Sequence, residues 1–127
     1  MDPNPNKFSI KSRRRSFKFA FAGLKSLLIH EHNSRIHIAA AILAVAMGIV
    51  LQISLVEWSV LVGIISLVLV VEILNSALEN LADYFSPEIN PVIKKVKDYG
   101  AAAVLIASLA AVTIGILIFL PKILRLI

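Results

Sequence analysis

The residues best suited to chemistry in this chain lie in the run EILNSALENLAD, which begins at Glu72. At about 100° per residue, four polar side chains of a helix would fall within about 80° of one another: Glu72, Asn75, Glu79 and Asp83. Three carboxylates on one face repel each other, and a bound cation or a shared proton would offset that repulsion. This acid stripe therefore predicts a cation-binding or proton-transferring site, with ion pairs to the following lysines as the simpler alternative.

A second polar cluster, Lys94, Lys97 and Asp98, follows the acid stripe, and Glu31 lies among basic residues near the N-terminus. Carboxylates that bind Mg²⁺, together with lysines, are what a nucleoside polyphosphate requires. The five glycines form neither a Walker A loop nor GxGxxG, so any phosphate site must use side chains and helix ends. The histidines do not form HExxH, which disfavours a metalloprotease, and the absence of cysteine excludes thiol chemistry.

The elements that carry these residues are predicted to cross a membrane. The chain of 127 residues is 58% hydrophobic with a mean hydropathy of +0.86, whereas soluble domains are about 45–50% apolar. The approximate spans are 36–56, 55–74 and 99–121, with Pro121 expected to end the third. The middle span must include Glu57 and Glu72 near its two ends, which places Glu72 at the edge of the hydrocarbon.

The distribution of basic residues predicts the orientation of these spans. Eight of the thirteen Lys and Arg residues precede the first span, none lies between the first two, and three lie between the second and third. The positive-inside rule then places the N-terminus and residues 75–98 in the cytoplasm. The net charge of +5 therefore indicates a membrane surface as the partner rather than a nucleic acid.

The segments outside the spans have distinct predicted structures. Residues 1–12 form a loose N-terminus, and residues 13–34 form an amphipathic helix that lies on the inner leaflet or packs against the bundle. The 75–98 segment is a helical extension of the second span, ending at about Phe85 before two prolines, and then a loop.

Small residues recur every four positions in the first and third spans, a pattern that predicts close helix packing. The two rows are Ala40, Ala44 and Gly48, and Ala103, Ala107, Ala111 and Gly115. Three helices offer few facing surfaces for these rows, so self-association is expected.

Two stretches resemble a known family. The run from Glu72 to Asp83 and the sequence KDYGAAAV from Lys97 are similar to signatures of the bacterial membrane-integral diacylglycerol kinases, a family that includes undecaprenol kinases. The resemblance covers about residues 17–121. It implies an all-α homotrimeric bundle, with three transmembrane helices and an amphipathic surface helix in each protomer. It further implies active sites shared between protomers at the cytoplasmic face of the bacterial inner membrane.

By this resemblance, the chain would transfer the γ-phosphoryl group of ATP to the hydroxyl of a membrane lipid. Glu72 would be the general base, supported by Asn75, while Glu31 and Glu79 would hold Mg²⁺ on the ATP. Further nucleotide contacts would come from Phe19, Glu88, Asn90, Lys97 and Asp98. Undecaprenol is slightly preferred over diacylglycerol as the acceptor, because Asn33, His37 and the ending IFLPK resemble the undecaprenol kinase branch.

Two other functions are compatible with a small membrane protein. A proton-coupled transporter would use Glu72 as its proton-carrying group, but its carboxylate should lie near the membrane midplane and a fourth span would be expected. A noncatalytic membrane assembly subunit would have no need of Glu31, Glu79 and Lys97 at one level.

Overall fold

The computed structural model describes residues 7–85 and 90–127, which form four α-helices. These are α1 (Ile10–His30), α2 (His32–Val50), α3 (Leu55–Phe85) and α4 (Pro91–Leu126). The last three are each long and apolar enough to cross a membrane. The predictions of an all-α protein and three spans are therefore confirmed, whereas residues 1–6 of the predicted loose N-terminus lie outside the described residues.

Helix α1 belongs to a compact unit that ends at His32. Ser9 caps its N-terminus, since its Oγ accepts a hydrogen bond of 3.3 Å from the backbone N–H of Ser12. Glu31 ends the helix in an extended conformation (φ −109°, ψ 106°), and its N–H donates to the Leu27 carbonyl. The helix buries none of its residues within the chain. The amphipathic surface role of this segment stays a prediction.

A tight connection joins α2 to α3, and it ends α2 at Val50 rather than near residue 56. The backbone N–H groups of Gln52 and Ile53 donate back to the carbonyls of Ile49 and Gly48, at 3.3 and 3.2 Å. This pairing is a Schellman motif, in which Gln52 takes the left-handed conformation with φ of 50°.

Helix α3 begins immediately after this turn because Ser54 and Glu57 form a capping box. The Ser54 N–H donates to Glu57 Oε2 over 2.8 Å, and the Glu57 N–H donates to Ser54 Oγ over 3.2 Å. The helix then runs for 31 residues, or about 46 Å, beyond the roughly 30 Å of a hydrocarbon core. It ends at Phe85, as predicted, so its last turns carry Glu79 and Asp83 out of the apolar segment.

Helix α4 continues through Pro121 to Leu126, so Pro121 does not stop the helix, while the end of the membrane span near residue 121 stays a prediction. Proline removes one backbone donor, which costs a helical hydrogen bond but need not stop a membrane helix. The extra turn brings Lys122 Nζ to 3.2 Å from Glu57 Oε2 at the start of α3.

Helices α2, α3 and α4 pack around a small apolar core within the unit Asn33–Ile127. Its buried residues are Ile53, Leu61, Ile64, Ile118 and Phe119. Gly48, from one of the predicted small-residue rows, is buried, and a Cβ atom there would lie 2.8 Å from Trp58 Cη2. Glycine at this position therefore allows the Trp58 ring to pack directly against α2.

Candidate active site

The carboxylate of Glu72 is buried on α3, with its side chain only 5% exposed. Two residues from one face of α2 contact it. The Ser34 hydroxyl, which is fully buried, donates to Glu72 Oε1 over 3.5 Å, and His37 Nε2 lies 3.6 Å from Glu72 Oε2. Each carboxylate oxygen therefore has its own polar partner on the neighbouring helix, although both contacts are long.

One turn further along α3, Asn75 and Glu79 form a second group. Asn75 Nδ2 donates to Glu79 Oε1 over 3.5 Å, while the buried Asn75 Oδ1 has no hydrogen-bond partner in the described part of the chain. That oxygen lies against Gly100 of α4, where an added Cβ atom would overlap it. Gly100 thus lets the Asn75 amide fit between α3 and α4, and Asn75 contacts Glu79 rather than supporting Glu72 directly.

The outermost acid of the stripe, Asp83, is paired across helices with Lys97. This hydrogen bond raises the pKa of Lys97 above its ordinary value, so the side chain is an ammonium at neutral pH. Lys94 Nζ in turn contacts Asp98 Oδ2 over 2.6 Å within α4. For Asp83, the simpler alternative therefore holds, because this acid forms an ion pair with a following lysine. Lys97 and Asp98, the two residues of this cluster that are predicted to contact the nucleotide, are both in ion pairs.

The remaining predicted site residues lie elsewhere. Asn90 caps α4, since its Oδ1 accepts from the Val92 N–H over 2.9 Å. Glu88 falls outside the described residues. Phe19 is on α1 and is 64% exposed. At about 100° per residue, it lies about 160° around the helix from Phe17, on the side of α1 that also carries Arg15. An exposed aromatic ring beside basic residues is suited to stacking on a nucleobase.

The contact of Ser34 and His37 with Glu72 was not predicted from the sequence. A signal for this contact does exist, because Ile53 in the turn lies 19 residues after Ser34 and 19 residues before Glu72. In an antiparallel helical hairpin, residues equally distant from the turn meet at the same level. The position of the turn was the missing information.

Carboxylates and an amide are the oxygen donors that suit Mg²⁺, and Glu79 with its Asn75 neighbour offers this chemistry. Among the described residues, no three His, Asp or Glu side chains come together to form a complete metal cage. Magnesium is commonly held by one or two carboxylates, with substrate phosphates and water completing its shell. The residues present thus fit a cation that arrives with a nucleotide.

Comparisons with known proteins place this arrangement in a family. Residues 18–119 match the prokaryotic diacylglycerol kinases. The chain is 31% identical to an undecaprenol kinase of Bacillus subtilis, over 96% of this chain and 99% of that protein. It is 36% identical to a diacylglycerol kinase of Escherichia coli K12, over 74% of this chain and 77% of that protein. A diacylglycerol kinase of Synechocystis is 33% identical over 87% of this chain and 64% of that protein.

Three helices that are long and apolar enough to cross a membrane, with a buried carboxylate on one of them, fit a multi-pass membrane protein. The chain belongs to the prokaryotic diacylglycerol kinase family and is a bacterial membrane lipid kinase. This assignment confirms the kinase prediction and displaces the transporter and assembly-subunit alternatives.

Proposed function

We propose that the chain phosphorylates the terminal hydroxyl of undecaprenol, with Glu72 as the general base, and that diacylglycerol is the second candidate acceptor. The observation that carries this proposal is the buried carboxylate of Glu72, held where the apolar part of α3 gives way to its polar end. Undecaprenol is preferred because the match to the Bacillus subtilis undecaprenol kinase spans nearly the whole of both chains.

A lipid hydroxyl at the membrane surface can reach a base at this level, whereas the remaining acids of α3 lie farther from the apolar segment. In phosphoryl transfer, the enzyme mainly aligns the reactants and neutralises charge, so one well-placed carboxylate suffices as the base. Glu72 accepts the hydroxyl proton as the lipid oxygen bonds to the γ-phosphorus of ATP and the bond to the ADP oxygen breaks.

The nucleotide is proposed to arrive as its Mg²⁺ complex. Glu79 and Glu31 would hold the ion, which supplies charge neutralisation on the phosphate oxygens when bound. Lys97 is positively charged and partly exposed, which supports its proposed contact with phosphate. This contact would require Lys97 to leave its ion pair with Asp83. Phe19 is proposed to contact the nucleobase, and Asp98, Asn90 and Glu88 the rest of the nucleotide.

The active unit is proposed to be a homotrimer with shared sites that face the cytoplasm. The basic N-terminal segment and the absence of Lys or Arg between the first two spans support this orientation.

The first test is a kinase assay of the purified protein in mixed micelles, with labelled ATP and either undecaprenol or diacylglycerol. We expect faster phosphorylation of undecaprenol. Glu72→Gln should lower turnover by about 10²-fold or more, the usual scale for losing a general base. Glu57→Gln, which changes a carboxylate at the opposite end of the same helix, should retain most of the activity. Near-normal turnover in a folded Glu72→Gln variant would refute the proposed base, and faster phosphorylation of diacylglycerol would refute the acceptor.

A further inference from the structure

The carboxylate of Glu72 is buried, so a proton that it accepts has little direct access to water. Glu72 is 4% exposed, and the side chain of His37 beside it is 21% exposed. His37 Nε2 lies 3.6 Å from Glu72 Oε2, and the Ser34 hydroxyl donates to the other oxygen, Oε1. The one titratable group paired with Glu72 in the described residues is therefore also the more exposed of the two.

We propose that His37 relays to water the proton that Glu72 removes from the lipid hydroxyl, and that Ser34 orients the carboxylate for this transfer. The inference rests on the proposed role of Glu72 as the base. His37 acts through Glu72 and does not contact the substrate in this scheme.

The proton balance of the relay is simple. Glu72 gains the hydroxyl proton as the lipid oxygen attacks phosphorus and becomes a neutral acid. It then passes that proton from Oε2 to the unprotonated Nε2 of His37, and the resulting imidazolium releases its Nδ1 proton to water. Both side chains return to their starting states, and no oxidant or further reactant is needed.

The geometry favours this order of events. Ser34 and His37 are three residues apart on α2, so they lie on one helix face and reach the two oxygens of a single carboxylate. Ser34 fixes Oε1, which leaves Oε2 directed at the imidazole. Contacts of about 3.5 Å are typical of unliganded catalytic groups, which tighten when substrate binds.

The surroundings of the pair contain few competing groups. His37 lines an otherwise largely apolar cavity of about 300 Å³ among α2, α3 and α4. The polar side chain that α4 adds to this lining is Ser108, a hydroxyl that does not titrate. On α3, the next acid after Glu72 is Glu79, about two helical turns away. In this part of the described structure, His37 is therefore the titratable side chain that lies beside Glu72.

The test compares four variants in the micelle assay after each is shown to assemble and to unfold at a temperature near that of the wild type. His37→Gln keeps a hydrogen-bond donor at similar reach but cannot carry a proton. We expect it to lower kcat by about tenfold or more, with little change in the KM of either substrate, and to increase the solvent deuterium isotope effect. His37→Ala should be similarly slow and should regain turnover as imidazole is added. Ser34→Ala should lose less activity and should not respond to imidazole.

Three outcomes would overturn the relay. They are wild-type turnover in His37→Gln, an unchanged isotope effect with no imidazole response in His37→Ala, and an equal imidazole response in Ser34→Ala. Glu72→Gln separates this inference from the proposed function. If that variant is inactive while the His37 variants are normal, only the relay fails, whereas an active Glu72→Gln variant removes the base on which both depend.

Discussion

The three acids of the stripe on α3 differ in what surrounds them. Glu72 is buried against Ser34 and His37, Glu79 accepts from the Asn75 amide, and Asp83 is paired with Lys97 at the exposed end. The environment thus changes along the helix from apolar to aqueous. This gradient separates a group suited to a lipid hydroxyl from groups suited to a charged, hydrated nucleotide.

The proposed metal ligands give a prediction at the residue scale. Glu79→Gln and Glu31→Gln should each weaken the dependence of the rate on Mg²⁺ and raise the KM for ATP in parallel, since the ion bridges carboxylate and phosphate. Glu57→Gln serves as the matched control, because its carboxylate pairs with Lys122 at the opposite end of α3. Titrations of the rate with Mg²⁺ at several ATP concentrations measure both effects. If both variants keep the wild-type curves, these acids do not bind the cation.

Much of the candidate site could be predicted from residue types and spacing, but the partners of each residue could not. Helical periodicity places Glu72, Glu79 and Asp83 on one face, as the structure has them. It does not reveal how α2 is rotated toward α3, and that rotation decides that Ser34 and His37 meet Glu72. It also left open whether Asp83 binds a cation or a lysine, a choice that depends on where α4 crosses α3.

At the scale of the elements, the close crossing of α3 and α4 depends on a glycine. Gly100 lies where Asn75 projects from α3, and the Asn75 amide in turn donates to Glu79. The α4 backbone can therefore lie directly against the Asn75 side chain, where a larger residue would collide with the amide. Gly100 is the first of the small residues that follow Lys97 and Asp98, and its contact with Asn75 explains why this position has no side chain.

Gly100→Ala should disturb both packing and activity. The added methyl group would overlap Asn75 Oδ1, so the helices must separate or the amide must turn away from Glu79. We expect the free energy of unfolding to fall by about 1–3 kcal/mol, as for other overpacked sites, and turnover to fall with it. Gly63→Ala is the matched control, since a Cβ atom at Gly63 meets no atom within 4 Å. Denaturation in micelles and the lipid kinase assay measure the two effects, and equal stability of the two variants would contradict the close contact.

The ends of the elements show which boundaries a sequence can predict. The end of α3 at Phe85 was predictable from the prolines that follow it. The end of α2 was not, because Gln52 takes the left-handed conformation that usually marks a glycine or asparagine. At Pro121 the sequence predicts a stop, but α4 continues, since a membrane helix can pass a proline when its other backbone hydrogen bonds are kept.

The proposed trimer gives the prediction for the whole molecule. If one protomer supplies Glu72 and its neighbour supplies Glu79 to the same site, mixing Glu72→Gln protomers with Glu79→Gln protomers should create some intact sites. Each variant alone should be slow at low Mg²⁺ and ATP, Glu72→Gln because it lacks the base and Glu79→Gln because it binds the cation and the nucleotide weakly. Under these conditions the randomly reassembled mixture should be faster than either variant. The control is Glu72→Gln protein that is dissociated and reassembled without the other variant. Full activity of an isolated monomer would refute the proposed oligomer. If the trimers are intact but the mixture is no faster than either variant alone, only the shared active site is refuted.

The ion pair between Glu57 and Lys122 has a consequence for how the chain enters the membrane during synthesis. Glu57 caps α3 through Ser54, so its carboxylate is held in place as soon as the α2–α3 hairpin has formed. Helix α4 follows this hairpin in the chain, and in the predicted topology Lys122 must be carried across the bilayer, where a lysine is costly. The earlier hairpin thus presents a fixed counter-charge on the far side. In that topology, Glu57 would therefore be in place to pair with Lys122 as α4 inserts.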